Sequence, residues 1–139
     1  MADDMFTALS VSAAGMRAQS TRVRVVAENM ANADSTGTTP GADPYRRQTV
    51  TFKNELDRAT GAEMVEVSKI GTDKKTPFVL KYQPDHPAAD DKGYVKMPNI
   101  DSIVEMMDMR EAQRSYEANL GMIEQSRTMM MQTINLLRQ

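Results

Sequence analysis

The sequence predicts an α+β fold, with long N- and C-terminal helices packed as a coiled coil and a small antiparallel β segment between them. Two observations predict it. In the first third, Leu9, Met16, Val23 and Met30 recur every seven residues, with Phe6, Ala13, Ser20 and Ala27 between them. In the last third, Met109, Tyr116, Ile123, Met130 and Leu137 repeat the spacing. An apolar residue every 3.5 positions keeps one stripe of a helix against a partner along its length. The middle carries short alternating runs instead, around Val50 and Phe52, Val65 and Val67, and Phe78, Leu80 and Tyr82. Alternation with period two marks a half-buried strand.

The elements follow in order. Residues 4–31 read as a helix, with Asp3 and Asp4 at the positive end of its dipole. Gly15 costs that helix about 1 kcal/mol relative to alanine, or permits a close helix contact. Asn32 to Gly41, rich in glycine, proline and short polar side chains, ends it, and the loop runs on to Pro44. Its composition predicts disorder in the free chain, with Asn29 and Asn32 offering donors and acceptors to a neighbour's backbone. Three short strands follow, bounded by Thr60-Gly61 and Gly71-Thr72-Asp73. Pro84-Asp85-His86-Pro87 and Asp90-Asp91-Lys92-Gly93 read as rigid turns. Ser102-Ile103-Val104-Glu105 fits a capping box for the last helix, roughly 36 residues or about 54 Å long. The divisions are 1–33, 34–99 and 100–139.

Composition narrows the function. A net charge of -2 argues against nucleic acid as the main partner. There is no cysteine, hence no disulfide framework and no thiolate metal site. No stretch reaches the length of a membrane span, and the acidic start lacks the basic region of a cleaved signal. Neither an enzyme nor a cofactor is expected. The one histidine, His86, lies near Asp85, Asp90 and Asp91, which admits a metal-dependent hydrolase or a simple turn. Tyr45-Arg46-Arg47 reads as an arginine pair meeting acids of a neighbouring subunit. All seven lysines fall between Lys53 and Lys96, which marks a solvated middle and packed ends. Eleven of the 13 methionines lie in the terminal segments, as core or as adaptable contact surface. Gln113 and Arg127 fall within the second seam, where they either fix register or face solvent.

Two long sticky helices point to assembly more than to catalysis. The expected interface comprises Leu9, Met16, Val23, Asn29, Met30 and Asn32 on the first helix. On the last it comprises Met109, Tyr116, Ile123, Met130, Ile134 and Leu137. An open helical assembly and a closed coiled-coil dimer both suit these seams.

The segment Val25-Val26-Ala27-Glu28-Asn29-Met30-Ala31-Asn32-Ala33-Asp34-Ser35-Thr36-Gly37 resembles the N-terminal signature of bacterial flagellar axial proteins, the rod, hook and hook-associated subunits. Pro84 to Asp90, Gly93-Tyr94-Val95, Pro98 to Asp101 and Glu105 to Asn119 resemble the proximal-rod branch of that family. Many axial proteins place an aromatic directly after the Thr-Gly turn; here Thr38 follows Gly37, and the next aromatic is Tyr45. The resemblance implies a structural subunit of the rod, exported unfolded by the flagellar type III apparatus. Its terminal helices would lie near the axis. Its partners would be other rod subunits, further copies of itself, and the ring or export-gate end of the basal body.

Overall fold

The computed structural model describes residues 2–58 and 60–137. Helix α1 runs Ala2–Ala31, and helix α2 runs Ser102–Leu137. Between them lie β1 (Gln48–Leu56), β2 (Glu63–Thr72), β3 (Val79–Tyr82) and β4 (Tyr94–Met97). The α+β class is as expected, with two long helices and small antiparallel sheets between. The single three-stranded sheet is not: β1 pairs only with β2, and β3 only with β4. The fourth strand escaped the sequence because Tyr94-Val95-Lys96-Met97 is too short to show a period. Only Val95 in it is fully buried.

The β1–β2 ribbon carries a register shift between Thr51 and Phe52, which leaves Ser68 as the extra residue of a β-bulge. At the β3–β4 turn Gly93 has a φ of 80°, and a Cβ there would stand 3.0 Å from the Tyr82 ring and 3.1 Å from Pro84. Only glycine fits both constraints. Tyr82 and Tyr94 meet edge to face across this ribbon, 5.3 Å between centroids.

Helix α1 ends where Asn32 turns its side-chain amide onto the carbonyl of Glu28 at 2.8 Å, satisfying a group the helix leaves open. That bond uses one of the two amide hydrogens of Asn32 within the chain. The following loop is tied down at its far end. Lys96 bonds the Gly41 carbonyl at 3.1 Å and Asp43 at 2.7 Å, and Pro44 is buried. The Lys96 hydrogen bond holds the Asp43 carboxyl below the usual carboxylate range.

The capping box is also corrected. Asp101 caps α2, its Oδ1 accepting from the Ile103 amide at 2.9 Å and the Val104 amide at 3.4 Å. Ser102 becomes the first helical residue, and Glu105 turns inward.

The two helices lie antiparallel along each other. Their closest line runs through Ala14, Gly15 and Ala18 of α1 and Ala112, Asn119 and Ser126 of α2. A Cβ on Gly15 would come within 2.8 Å of the Asn119 amide nitrogen, so this glycine permits the close approach. The predicted heptad residues take the flanks instead. Leu9, Met16, Val23 and Met30 are half-buried, as are Met109, Tyr116, Ile123 and Met130. Small side chains let the backbones approach, and bulky ones are pushed to either side of the contact line. Of the small residues between the heptad positions, Ala13 is half-buried and Ser20 and Ala27 are exposed.

The turn after β2 is held by Asp73. Its Oδ1 accepts from the amides of Lys75 at 2.9 Å and Thr76 at 3.1 Å, and its Oδ2 from the Thr76 hydroxyl at 2.6 Å. The Thr76 hydroxyl, then the two amides, hold the Asp73 carboxyl below its ordinary value. A depressed folded pKa contributes stability above the unfolded value, about 3.9, and loses it as pH falls through the folded one. An NMR titration of the Asp73 carboxyl carbon should therefore give a midpoint under that value. A midpoint at or above it would mean the turn does not favour the charged form.

Candidate assembly interface

A buried polar clasp joins the helices to the β ribbons at one end of the molecule. Glu105 of α2 is 0% exposed, and Asn29 of α1 is 1% exposed. Arg47, just before β1, donates through Nε to Glu105 Oε1 at 2.5 Å. Asn29 Nδ2 donates to Glu105 Oε2 at 3.1 Å and to the Gln48 carbonyl at 2.9 Å. Asn29 Oδ1 accepts from the Gln48 amide at 2.9 Å and from the Tyr45 hydroxyl at 3.3 Å. All the hydrogen-bonding capacity of this amide is used within the chain. It pairs with Gln48 as a neighbouring strand would, so Asn29 is not free for a neighbour's backbone. Burial, then the charge of Glu28, pushes the Tyr45 hydroxyl above its usual pKa.

The clasp extends outward. Asp108 takes Arg22 of α1 at 3.0 Å and Arg47 at 3.4 Å. Thus Arg47 pairs with two acids of its own chain. Arg46 turns the other way. Its guanidinium lies 4.0 Å from the centroid of the Phe78 ring and donates to the Asp73 carbonyl at 3.2 Å. Asn99 completes this side, accepting from the Arg47 amide at 2.9 Å and donating to the Asp73 carbonyl at 3.2 Å.

The other end of the molecule is apolar and open. Met5 and Ala8 of α1, with Met122, Met129 and Leu136 of α2, line a groove of about 640 Å³ between the helix ends. Leu136 is 75% exposed and Ile134 57% exposed. The side chain of Leu137, expected at the interface, lies outside the described residues. A second groove, of about 420 Å³, brings together Val23, Gln113 and Tyr116 on one flank of the helix pair. Gln113 and Arg127 are exposed, so both face solvent in the isolated chain.

Asp85, His86, Asp90 and Asp91 do not converge. Among the described residues no group of three or more histidines and carboxylates stands close enough to hold a metal ion. The Nδ1 of His86 instead accepts from the Ala88 amide at 3.1 Å, closing the turn. Likewise, among the described residues no helix is long and apolar enough to cross a membrane.

The sequence reading missed Glu105 and Arg47 as partners, because they are 58 positions apart and each has a local explanation as a cap or a strand-edge charge.

The chain is 54% identical over 136 residues to a flagellar basal-body rod protein FlgC from Agrobacterium fabrum, covering 98% of this chain and 97% of the relative. It belongs to the FlgC family of flagellar basal-body rod proteins. FlgC from Escherichia coli is 41% identical over 128 residues, with 91% of this chain and 92% of the relative covered. FlgC from Borreliella burgdorferi is 37% identical over 152 residues, with 96% and 98% covered. The sequence model of the family described as flagellar basal body rod FlgEFG protein C-terminal matches residues 91–136. That match spans β4 and nearly all of α2, so the FlgC-family chain shares its C-terminal helix with other rod proteins.

Proposed function

We propose that this chain is a non-catalytic structural subunit of the proximal rod of the flagellar basal body, in the periplasm. It polymerises through its terminal helices, with other rod subunits and with copies of itself, into the shaft that transmits motor torque. The ring or export-gate end of the basal body is its remaining partner. One observation carries the reading. The distal half of α2 exposes Met122, Met129 and Leu136 along one stripe, beside Met5 and Ala8 of α1, and Met131 and Ile134 along another. An apolar surface of this kind on a soluble chain marks a contact. Methionine suits a helical assembly whose neighbours are not identical, because its unbranched chain repacks at low cost.

Sedimentation of the purified chain with rod partners tests this. Ile134→Asp places a charge on the second of these stripes, where assembly would strip its water without a partner. It should lower co-assembly at least about tenfold, since one buried unpaired charge exceeds 1.4 kcal/mol. The monomer should unfold within about 0.5 kcal/mol of the unsubstituted chain, as surface changes do. Normal co-assembly of Ile134→Asp at normal protein levels would remove this stripe from the interface.

A further inference from the structure

Two charged features remain outside the clasp and the helical faces. The first is an open groove of about 620 Å³ at the base of the β1–β2 ribbon, lined by Thr49, Lys69, Ile70, Lys74 and Lys75 among others. The three lysines are exposed, and among the described residues none has a carboxylate within ion-pair distance. Lys53 and Lys96 differ, being paired with Glu55 and Glu66, and with Asp43. Asp73 also lines the groove, but hydrogen bonds to Lys75 and Thr76 occupy both its oxygens. The groove thus offers three ammonium groups to one inward-turned carboxylate. Ile70, 41% exposed, gives it an apolar floor.

The second is the turn at the far end of the β3–β4 ribbon. Asp85, Asp90 and Asp91 stand exposed there with one lysine, Lys92. The turn is already rigid. The His86 amide bonds the Gln83 carbonyl at 3.1 Å, and the Ala89 amide bonds that of His86 at 2.9 Å. Asp90 Oδ1 accepts from the amides of Lys92 at 2.9 Å and Tyr94 at 2.8 Å. Among the described residues, Asp85 and Asp91 make no hydrogen bond or ion pair. On α2 the exposed acids Glu117 and Glu124 have cations near them: Glu117 follows Arg114 by three positions, and Glu124 precedes Arg127 by three. The 85–91 turn thus gathers three exposed carboxylates beside one lysine.

We propose that the acidic 85–91 turn of one copy docks into the Lys69–Lys74–Lys75 groove of a second copy. The two patches differ, so the contact is head-to-tail and propagates a chain of copies, whereas a two-fold contact would close on itself. A preformed turn loses little entropy on docking. Exposed charge pairs are individually weak, so the contact counts most between copies already held side by side, where effective concentration multiplies it. It lies apart from the apolar stripe of α2, so Ile134→Asp should leave it intact, and the two readings fail separately.

The test uses charge exchange in the full chain. Sedimentation velocity at low salt should show self-association that weakens steeply from about 50 mM to about 500 mM salt, as screening demands. Lys74→Glu with Lys75→Glu, and separately Asp85→Lys with Asp91→Lys, should each lower self-association about tenfold or more, because each makes both patches the same sign. An equimolar mixture of the two variants should recover it, since each then presents the patch the other has lost. Unchanged circular dichroism of both variants shows that they fold. An unsubstituted chain that stays monomeric at low salt would overturn the proposal, and so would variants that associate normally. A mixture that does not recover would do the same, and would assign the groove to an acidic partner other than this chain.

Discussion

Arg47→Ala is expected to destabilise the chain by about 3 kcal/mol, the lower end of what breaking a buried ion pair costs. Glu105 is wholly buried, and among the described residues Arg47 is its only ionic partner, at 2.5 Å. The variant leaves a carboxylate with one amide hydrogen bond, from Asn29, and no counter-charge. Arg47 is itself 26% exposed, so some water reaches the gap and holds the loss below the upper end of the range. A domain of ordinary stability, about 5–15 kcal/mol, would lose a large share. Urea unfolding followed by circular dichroism measures it as a fall in midpoint at constant slope. Replacing both partners, Arg47→Met with Glu105→Leu, should restore most of the loss, because neither charge is then buried. A loss under about 0.5 kcal/mol for Arg47→Ala, the range of ordinary surface changes, would show that the clasp does not hold the ribbons to the helices.

Gly15→Leu is expected to cost about 3 kcal/mol, the upper end for overpacking a close-packed contact. Any Cβ at this position meets the Asn119 side chain at 2.8–3.2 Å. For Gly15→Ala the two effects nearly cancel, since alanine gains about 1 kcal/mol of helix propensity while Asn119 swings aside. Leucine adds three further carbons in the same direction and pries the helices apart. Thermal unfolding of Gly15→Ala, Gly15→Leu and Gly15→Leu with Asn119→Ala decides it. The account requires near-neutral, large and partly rescued losses in that order. Equal stability of Gly15→Leu would mean that the helices do not meet on this line.

The long elements were legible because their periods repeat over many residues. Heptad spacing over α1 and α2 gave both helices within two residues of their ends, and alternation gave all of β3 but only part of β1 and of β2, which runs on through Gly71 and Thr72 where a turn was expected. The partition into two ribbons was not legible, since pairing depends on contacts that short alternating runs do not specify. The heptads also marked the flanks of the helix pair and not its closest line. Periodicity reports which face is apolar, whereas the closest line is chosen by size, at Gly15, Ala18 and Ala112. Asn29 was singled out for the right chemistry and the wrong recipient, because the strand that meets it begins 19 positions later. Ile134 stands exposed where the sequence placed it in a seam. A residue with no cover in the monomer is what a contact between subunits requires.

In the proposed assembly the distal half of α2 is completed by other subunits. Hydrogen exchange of α2 amides in free and assembled protein tests it most directly. Residues 102–112 pack against the clasp and should exchange slowly in both states. Residues 120–136 are covered by α1 mainly at Ser126 and leave most other side chains exposed, and thinly covered helix ends fray in water. Their exchange should be fast in the free chain and slow markedly on assembly. Equal protection of residues 120–136 in the two states would contradict the account.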